Sequence, residues 1–256
     1  MSKYNDFFFK VWLPLNLVTL ALIFIVDINW YMVFIGWFLL GPVGTGVGSH
    51  RLFSHRCFET YPIIEKILAY LSTLSAYAPI LFWVTQHQYH HKFTDTEDDP
   101  TSPKEKGFIY SFFTWRLLKE NLDKVLVMNY CARRVLRDKT LMWFTNNFTS
   151  IIWIHVILLS LIDFSVLLSL YLLPVLIESM RVNALNYVNH LDNIPFNYRN
   201  HDIKDRSYNN VIIGWLSFGF GWHNNHHADP GKVVLTERWW EIDIEGYIAK
   251  LISKKS

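Results

Sequence analysis

Residues 30–55 read WYMVFIGWFLLGPVGTGVGSHRLFSH, a run of largely apolar positions (30–48) that passes directly into a segment carrying His50 and His55. At about 1.5 Å per residue, 30–48 is long enough to cross a hydrocarbon core. A second apolar run, 8–26 (FFKVWLPLNLVTLALIFIV), precedes it across the short connector Asp27-Ile28-Asn29. A matching pair occupies 144–162 and 164–180, with Asp163 at its turn and Glu178 the one other charge between Leu141 and Met180. Apolar runs this long are uncommon in soluble folds, so the pattern predicts four transmembrane helices in two hairpins.

The distribution of Lys and Arg sets the orientation. Two lie in residues 1–10, thirteen in 51–139, nine in 181–255 and none at either hairpin tip. The positive-inside rule places both termini and the histidine-bearing regions on the cytoplasmic side. The expected architecture is a single all-α integral membrane domain, 1–256, with a helical cytoplasmic cap made of 49–143 and 181–256. Within the cap, Ile67–Trp83 is expected to lie at the interface or dip partway in, because Glu65 and Lys66 precede it and Pro79 falls within it, and 211–222 is too short and glycine-broken to span. Residues 115–139 set Arg116, Lys119, Lys124, Arg133, Arg134, Arg137 and Lys139 among leucines and valines. They read as an amphipathic surface helix, either a solvated face or a docking surface for acidic donors or lipid phosphates. No secretory signal, lipidation motif or internal repeat is expected.

Composition narrows the chemistry. The 256 residues are 51% apolar and 17% aromatic, with a formal charge of +2, too little for a general nucleic-acid binder. Two cysteines cannot build a disulfide framework or an iron–sulfur cluster. Any redox metal must therefore sit on histidine.

Eight of the 11 histidines fall in three short windows: HRLFSH at 50–55, HQYHH at 87–91 and HNNHH at 223–227. On a helix the i, i+3, i+4 spacing puts His87, His90 and His91 on one face, and likewise His223, His226 and His227, each triplet aimed at one point. Imidazole suits iron, zinc, copper or nickel. Asn186 and His190 form a further i, i+4 pair beyond the fourth apolar run. Nine histidines exceed the six positions of an octahedral ion, so two metals are expected, with Asn186 a weak or water-mediated tenth group. Neutral rings need carboxylates to orient them, and Asp95, Asp98, Asp99, Asp192 and Asp229 lie beside the boxes. His155 reads as a packing residue, His201 as a surface residue and Cys57 as packing. Trp83, Trp222 and the aromatic 77–83 segment are candidate channel walls or plain core.

At these boxes the sequence resembles the membrane fatty acid desaturases of the stearoyl-CoA desaturase type, including bacterial and cyanobacterial acyl desaturases. The likeness runs from Gly46 to about Asp243 through HRLFSHR (50–56), FWVTQHQYHHKFTDTEDDPTSP (82–103), Gly107-Phe108, the NxxxH of Asn186 and His190, and GFGWHNNHHADP (219–230). It implies two non-haem iron ions held by His50, His55, His87, His90, His91, His190, His223, His226 and His227, with Asn186 through water. It implies O2 as co-substrate and insertion of a cis double bond into a saturated fatty acyl chain bound to coenzyme A, lipid or a carrier protein. Thr85-Gln86 stands where many relatives have a basic residue, which argues against a coenzyme A substrate, and Ser111-Phe112 stands where Ser-His is common. Without an HPGG haem loop, electrons are expected from another protein, such as ferredoxin or a cytochrome b5-like protein. A membrane alkane or fatty acid hydroxylase with the same boxes is the alternative, while a b-type cytochrome would need paired histidines within the spans, where only His155 lies.

Overall fold

Asn29 and Asp163 each start a long helix. The Asn29 side-chain oxygen accepts from the backbone N–H of Tyr31 and Met32, and Asp163 does the same for Ser165 and Val166. The two starts lie at the same end of the molecule. The Asn29 N–H donates to the Ser169 hydroxyl at 2.9 Å, and the Ser165 hydroxyl donates to the Asp27 carbonyl at 2.7 Å. In the computed structural model, which describes residues 7–99, 101–114 and 132–254, the helices that follow are α2 (Trp30–His55) and α8 (Phe164–Val188). Both continue past the apolar runs seen in the sequence, and that continuation carries His50, His55 and Asn186 beyond the apolar stretch.

Around them, in chain order, are α1 (Phe8–Leu22), α3 (Pro62–Leu74), α4 (Ile80–Phe93), α5 (Arg133–Arg137), α6 (Lys139–Asn146) and α7 (Phe148–Ile162). Three short helices follow: α9 (Val211–Leu216), α10 (His223–Ala228) and α11 (Ile244–Ile252). A two-residue antiparallel pair, β1 (Asn197–Tyr198) with β2 (Asn209–Asn210), closes the loop between α8 and α9. Helices α2 and α8 are long and apolar enough to cross a membrane, and α6 with α7 forms a third candidate bent by 63°. Helix α1 is shorter than the run that predicts it. Leu17 and Leu20 on α1, and Ile154, Ile157, Leu158 and Leu161 on α7, are exposed. That outer face belongs to an integral membrane protein rather than to one bathed in water.

The stretch Ile67–Trp83 is two helices, broken between Ser75 and Pro79, where Ala76 takes a φ of 53°. Helix α3 exposes Ile63, Ile67 and Tyr70 and buries Leu68, Ala69 and Ser72, so it is amphipathic. Of the predicted basic helix 115–139, residues 115–131 lie outside the described residues.

Small residues on α2 let the rest of the fold close on it. A Cβ at Gly44 would sit 2.8 Å from the Leu71 carbonyl of α3, and one at Gly46 would sit 2.1 Å from a Glu245 oxygen. The Ser72 hydroxyl uses that proximity to donate to the Gly44 carbonyl at 2.7 Å. Beyond Gly46 lies a chain of five buried charges. Glu178 binds Arg181 at 2.7 Å, Arg181 binds Glu245 at 2.8 Å, Glu245 binds Arg51 at 2.6 Å, and Arg51 binds Asp243 at 2.9 Å. The lone carboxylate in the fourth apolar run is thus answered one turn later on its own helix. The chain also ties α8, α2 and α11 into one body.

Removing one member of such a chain leaves its partners charged and buried, at a cost of about 3–5 kcal/mol. Glu245→Ala is expected to lower the unfolding midpoint in detergent by roughly 10 °C. Lys250→Ala, exposed on the same helix, should leave it unchanged.

Candidate metal centre

Four elements bring histidine to one place: the end of α2, helix α4, the turn after α8, and α10. The first contribution depends on how α2 is wound. In an α-helix of about 100° per residue, His50 and His55 would diverge by roughly 140°. Residues Leu39–His55 instead follow i→i+5 hydrogen bonding, which turns less per residue and brings positions five apart towards one face. The two rings meet edge to face with centroids 4.9 Å apart.

The rings form two groups. His50, His55, His87 and His226 offer ligand nitrogens within 4.8 Å of one another, as do His90, His190, His223 and His227. His91 joins the first group, its Nε2 lying 3.1 Å from His87 Nε2 and 2.9 Å from His226 Nε2. The triplets predicted to aim at one point are divided. On α4, His87 and His91 serve the first group and His90 the second. On α10, His226 serves the first while His223 and His227 serve the second. Each helix therefore stands between two centres and contributes to both.

Ring nitrogens of different elements approach closely, with Nε2–Nε2 separations of 2.6 Å for His55–His87, 3.1 Å for His50–His226 and 2.9 Å for His190–His223. Three rings have their other nitrogen committed to a carboxylate. His90 Nδ1 is 3.0 Å from Asp99, His190 Nδ1 is 3.2 Å from Asp95, and His227 Nδ1 is 2.9 Å from Asp205. A ring so bonded carries its proton on Nδ1 and presents a lone pair at Nε2. The buried Nε2 atoms of His90 and His227 have no hydrogen-bond partner among the described residues. Lone pairs converging in a dry interior repel one another, and a bound cation turns that repulsion into ligation. The donor set fits metal ions.

Electrostatics favour the neutral ligands. Burial, reinforced by neighbouring rings, holds His87, His91, His223 and His226 well below the usual histidine range. Burial also brings His227 down to about 4, although Asp205 opposes it. At His90 burial works in the same direction, but the charge of Asp99 and its hydrogen bond outweigh it and raise the ring. Asp95, Asp99 and Asp205 end below the usual carboxylate range because their histidine bonds overcome burial, so they stay ionised beside the rings.

Of the five carboxylates picked out by sequence, Asp95 and Asp99 bond rings, whereas Asp98, Asp192 and Asp229 are exposed. Asp192 instead binds Arg206 and the Tyr208 hydroxyl. Asp205 is the residue that sequence reasoning missed. It lies in the polar loop NYRNHDIKDR, with no spacing that marks it as the partner of His227. That loop also anchors α10. The Asn224 side-chain oxygen accepts from the backbone N–H of Asn200 and of His201, each at 2.8 Å. Asn209 accepts from the Asn224 and Asn225 N–H groups, and Asn225 donates to the buried Glu241. The two asparagines inside HNNHH are thus the pins that hold its histidines in register. The His201 ring is partly exposed beside Glu237.

A cavity touches both groups. It is bounded by His87, His90 and His223, by the aromatic rings of Tyr77, Trp83 and Phe220, and by Gln86, Asn183 and Asn186. Asn186 stands outside the histidine groups, its amide donating to the Thr101 carbonyl at 2.9 Å. Trp83 is a wall of this cavity, lying parallel to His87 at 6.0 Å. Trp222 is core, its indole N–H donating to the Ile242 carbonyl. Thr85 and Gln86 are both buried, with Gln86 in the cavity wall. Ser111 also borders the cavity and donates to the Ser102 carbonyl. His155 meets the Tyr70 hydroxyl and the Tyr171 ring, and Cys57 the Pro230 carbonyl.

The family model described as fatty acid desaturase matches residues 28–242. The chain is 31% identical over 223 residues to "Delta-9 acyl-lipid desaturase 2" of Arabidopsis thaliana, covering 84% of this chain and 68% of that protein. It is 31% identical over 231 residues to "sn-1 stearoyl-lipid 9-desaturase" of Synechocystis sp., covering 87% and 68%. Against "Acyl-CoA C20 Delta5-desaturase" of Anemone leveillei it is 29% identical over 239 residues, covering 88% and 70%.

Removing a carboxylate that orients a ligating ring typically weakens metal binding by about 10–100-fold. Asp205→Asn and Asp99→Asn are each expected to lose metal to a competing chelator in that range, read by elemental analysis after dialysis. Asp229→Asn should retain it.

Proposed function

The chain belongs to the fatty acid desaturase family, and from that membership we propose that its two histidine groups hold a pair of non-haem iron ions which, with O2, put a cis double bond into a saturated fatty acyl chain. It is an oxidoreductase, a fatty acyl desaturase of the acyl-lipid or acyl-CoA kind. The proposed ligands are His50, His55, His87, His91 and His226 for one ion, and His90, His190, His223 and His227 for the other, with Asn186 acting through water. The observation that carries this reading is the pair of converging imidazole groups opening onto one aromatic-walled cavity.

Bound iron supplies the activation of O2 and the removal of hydrogen from unactivated C–H bonds, which offer no acid, base or leaving group for a side chain to work on. The chain's own residues do the rest. Tyr77, Trp83 and Phe220 give the cavity an apolar wall that an acyl chain fills and water leaves. The Tyr77 hydroxyl donates to Asn183 at 3.0 Å and fixes one side of that wall. Asp99, Asp95 and Asp205 hold three rings in the ligating tautomer. The two hydrogens leave the acyl chain in water, and the electrons that balance the reduction of O2 come from a separate carrier protein.

The same reading places the protein in the lipid bilayer with four crossings: α1, α2, the bent α6–α7 pair and α8. Both termini and the histidine centre lie on the cytoplasmic side. The distribution of Lys and Arg supports this, as do the hydrogen-bonded hairpin tips at the end opposite the histidines.

Expression in a host unable to make unsaturated fatty acids, followed by mass-spectrometric location of double bonds, is expected to give a cis alkene at one position. An alcohol in place of the alkene would overturn the reading. His90→Ala and His226→Ala, one from each group, should each abolish the product and lower the iron content, and full activity in either removes it from the ligand set.

A further inference from the structure

The histidine groups have a second opening, unlike the aromatic cavity. It lies at His55, one of the partly exposed rings of the first group, and its rim carries Ser54, Arg56, Gln88, Arg133 and Arg134. Arg134 is tied to Glu65 at 3.1 Å. Arg56 and Arg133 are exposed, and neither has a carboxylate partner among the described residues. Arg56 is held in place by its backbone. It takes a φ of 54° where α2 ends, and its N–H bonds back to the Arg51 carbonyl. Two guanidinium groups without a carboxylate partner among the described residues, beside a partly exposed ring, are poorly suited to an apolar acyl chain and well suited to a carboxylate-bearing surface.

We infer that this rim is the docking surface for an acidic one-electron carrier protein, which brings its redox group against the His55 ring edge. The inference rests on the desaturase reading, which requires electrons from outside the chain. At each docking the carrier is oxidised by one electron, and the centre beyond His55 is reduced by one. Electron transfer weakens steeply with distance, so the exposed ligand edge is the effective point of entry, while the acyl chain keeps the aromatic cavity to itself. The two openings divide the traffic between an apolar substrate and a charged partner.

The test is binding of the full chain, in detergent, to an immobilised plant-type [2Fe–2S] ferredoxin, measured with and without metal. Affinity should fall as salt rises. Arg56→Glu with Arg133→Glu should weaken it by about tenfold or more and flatten the salt dependence. Lys104→Glu with Lys106→Glu, exposed cations elsewhere, should stay within about twofold. The proposal fails if the arginine reversal also stays within twofold, or if the lysine reversal matches it. It also fails if the arginine reversal abolishes binding of coenzyme A and spares ferredoxin, which would assign the rim to an acyl carrier phosphate. Should the reversed chain not fold, Arg56→Lys with Arg133→Lys keeps the charge and allows carbodiimide cross-linking. Links to ferredoxin at position 56 or 133 support the site, and links found only elsewhere overturn it. Binding needs no product, so loss of the alkene with binding intact counts against the desaturase reading alone.

Discussion

Nine imidazole rings gathered in two groups, buried or partly buried, repel one another unless their nitrogens are sorted, and the rest of the protein does that sorting. Asp99, Asp95 and Asp205 bind the Nδ1 side of three rings and leave Nε2 to face inward. Burial keeps the other rings neutral, the form that ligates. The arrangement is costly without a cation and favourable with one, so metal binding and the local fold stabilise each other.

The frame that bears this cost is itself polar. Arg51 stands next to His50 on α2 and is clamped by Asp243 and Glu245. Arg181 joins the same chain and also lies over the Phe220 ring at 4.8 Å, and Phe220 in turn packs edge-on against His50. The ion chain therefore presses on His50 through one aromatic ring. Glycine at position 46 is required because any side chain there would occupy the space of the Glu245 carboxylate. On the far side, the loop between α8 and α9 holds α10 through asparagines rather than through apolar packing. Directional hydrogen bonds fix a short helix more tightly in register than a hydrophobic face of six residues can.

The two openings to the centre differ in chemistry. One is lined by Tyr77, Trp83 and Phe220 and reaches His87, His90 and His223. The other is rimmed by arginine and reaches His55. On the proposed reading, the first suits an apolar substrate and the second a charged partner, so the two need not compete for one entrance.

Much was legible in the sequence because periodicity and spacing are local. The apolar runs marked α2 and α8, the asparagine and aspartate at their tips marked their starts, and three histidine boxes marked the centre. Asp95 and Asp99 were within reach because they sit on the turn that follows their box. Other features depend on how distant segments meet. Asp205 pairs with His227 across a loop that carries no signature, and α2 is wound so that His50 and His55 share a face that α-helical spacing denies them. Each i, i+3, i+4 triplet reads as aimed at one point, yet α4 and α10 face each other across two centres and divide their rings between both. Residue types and spacing fixed which chemistry the chain can perform. Only the packing of four separate elements decided which ring joins which group, because that grouping is a property of distances between helices and not of positions along one.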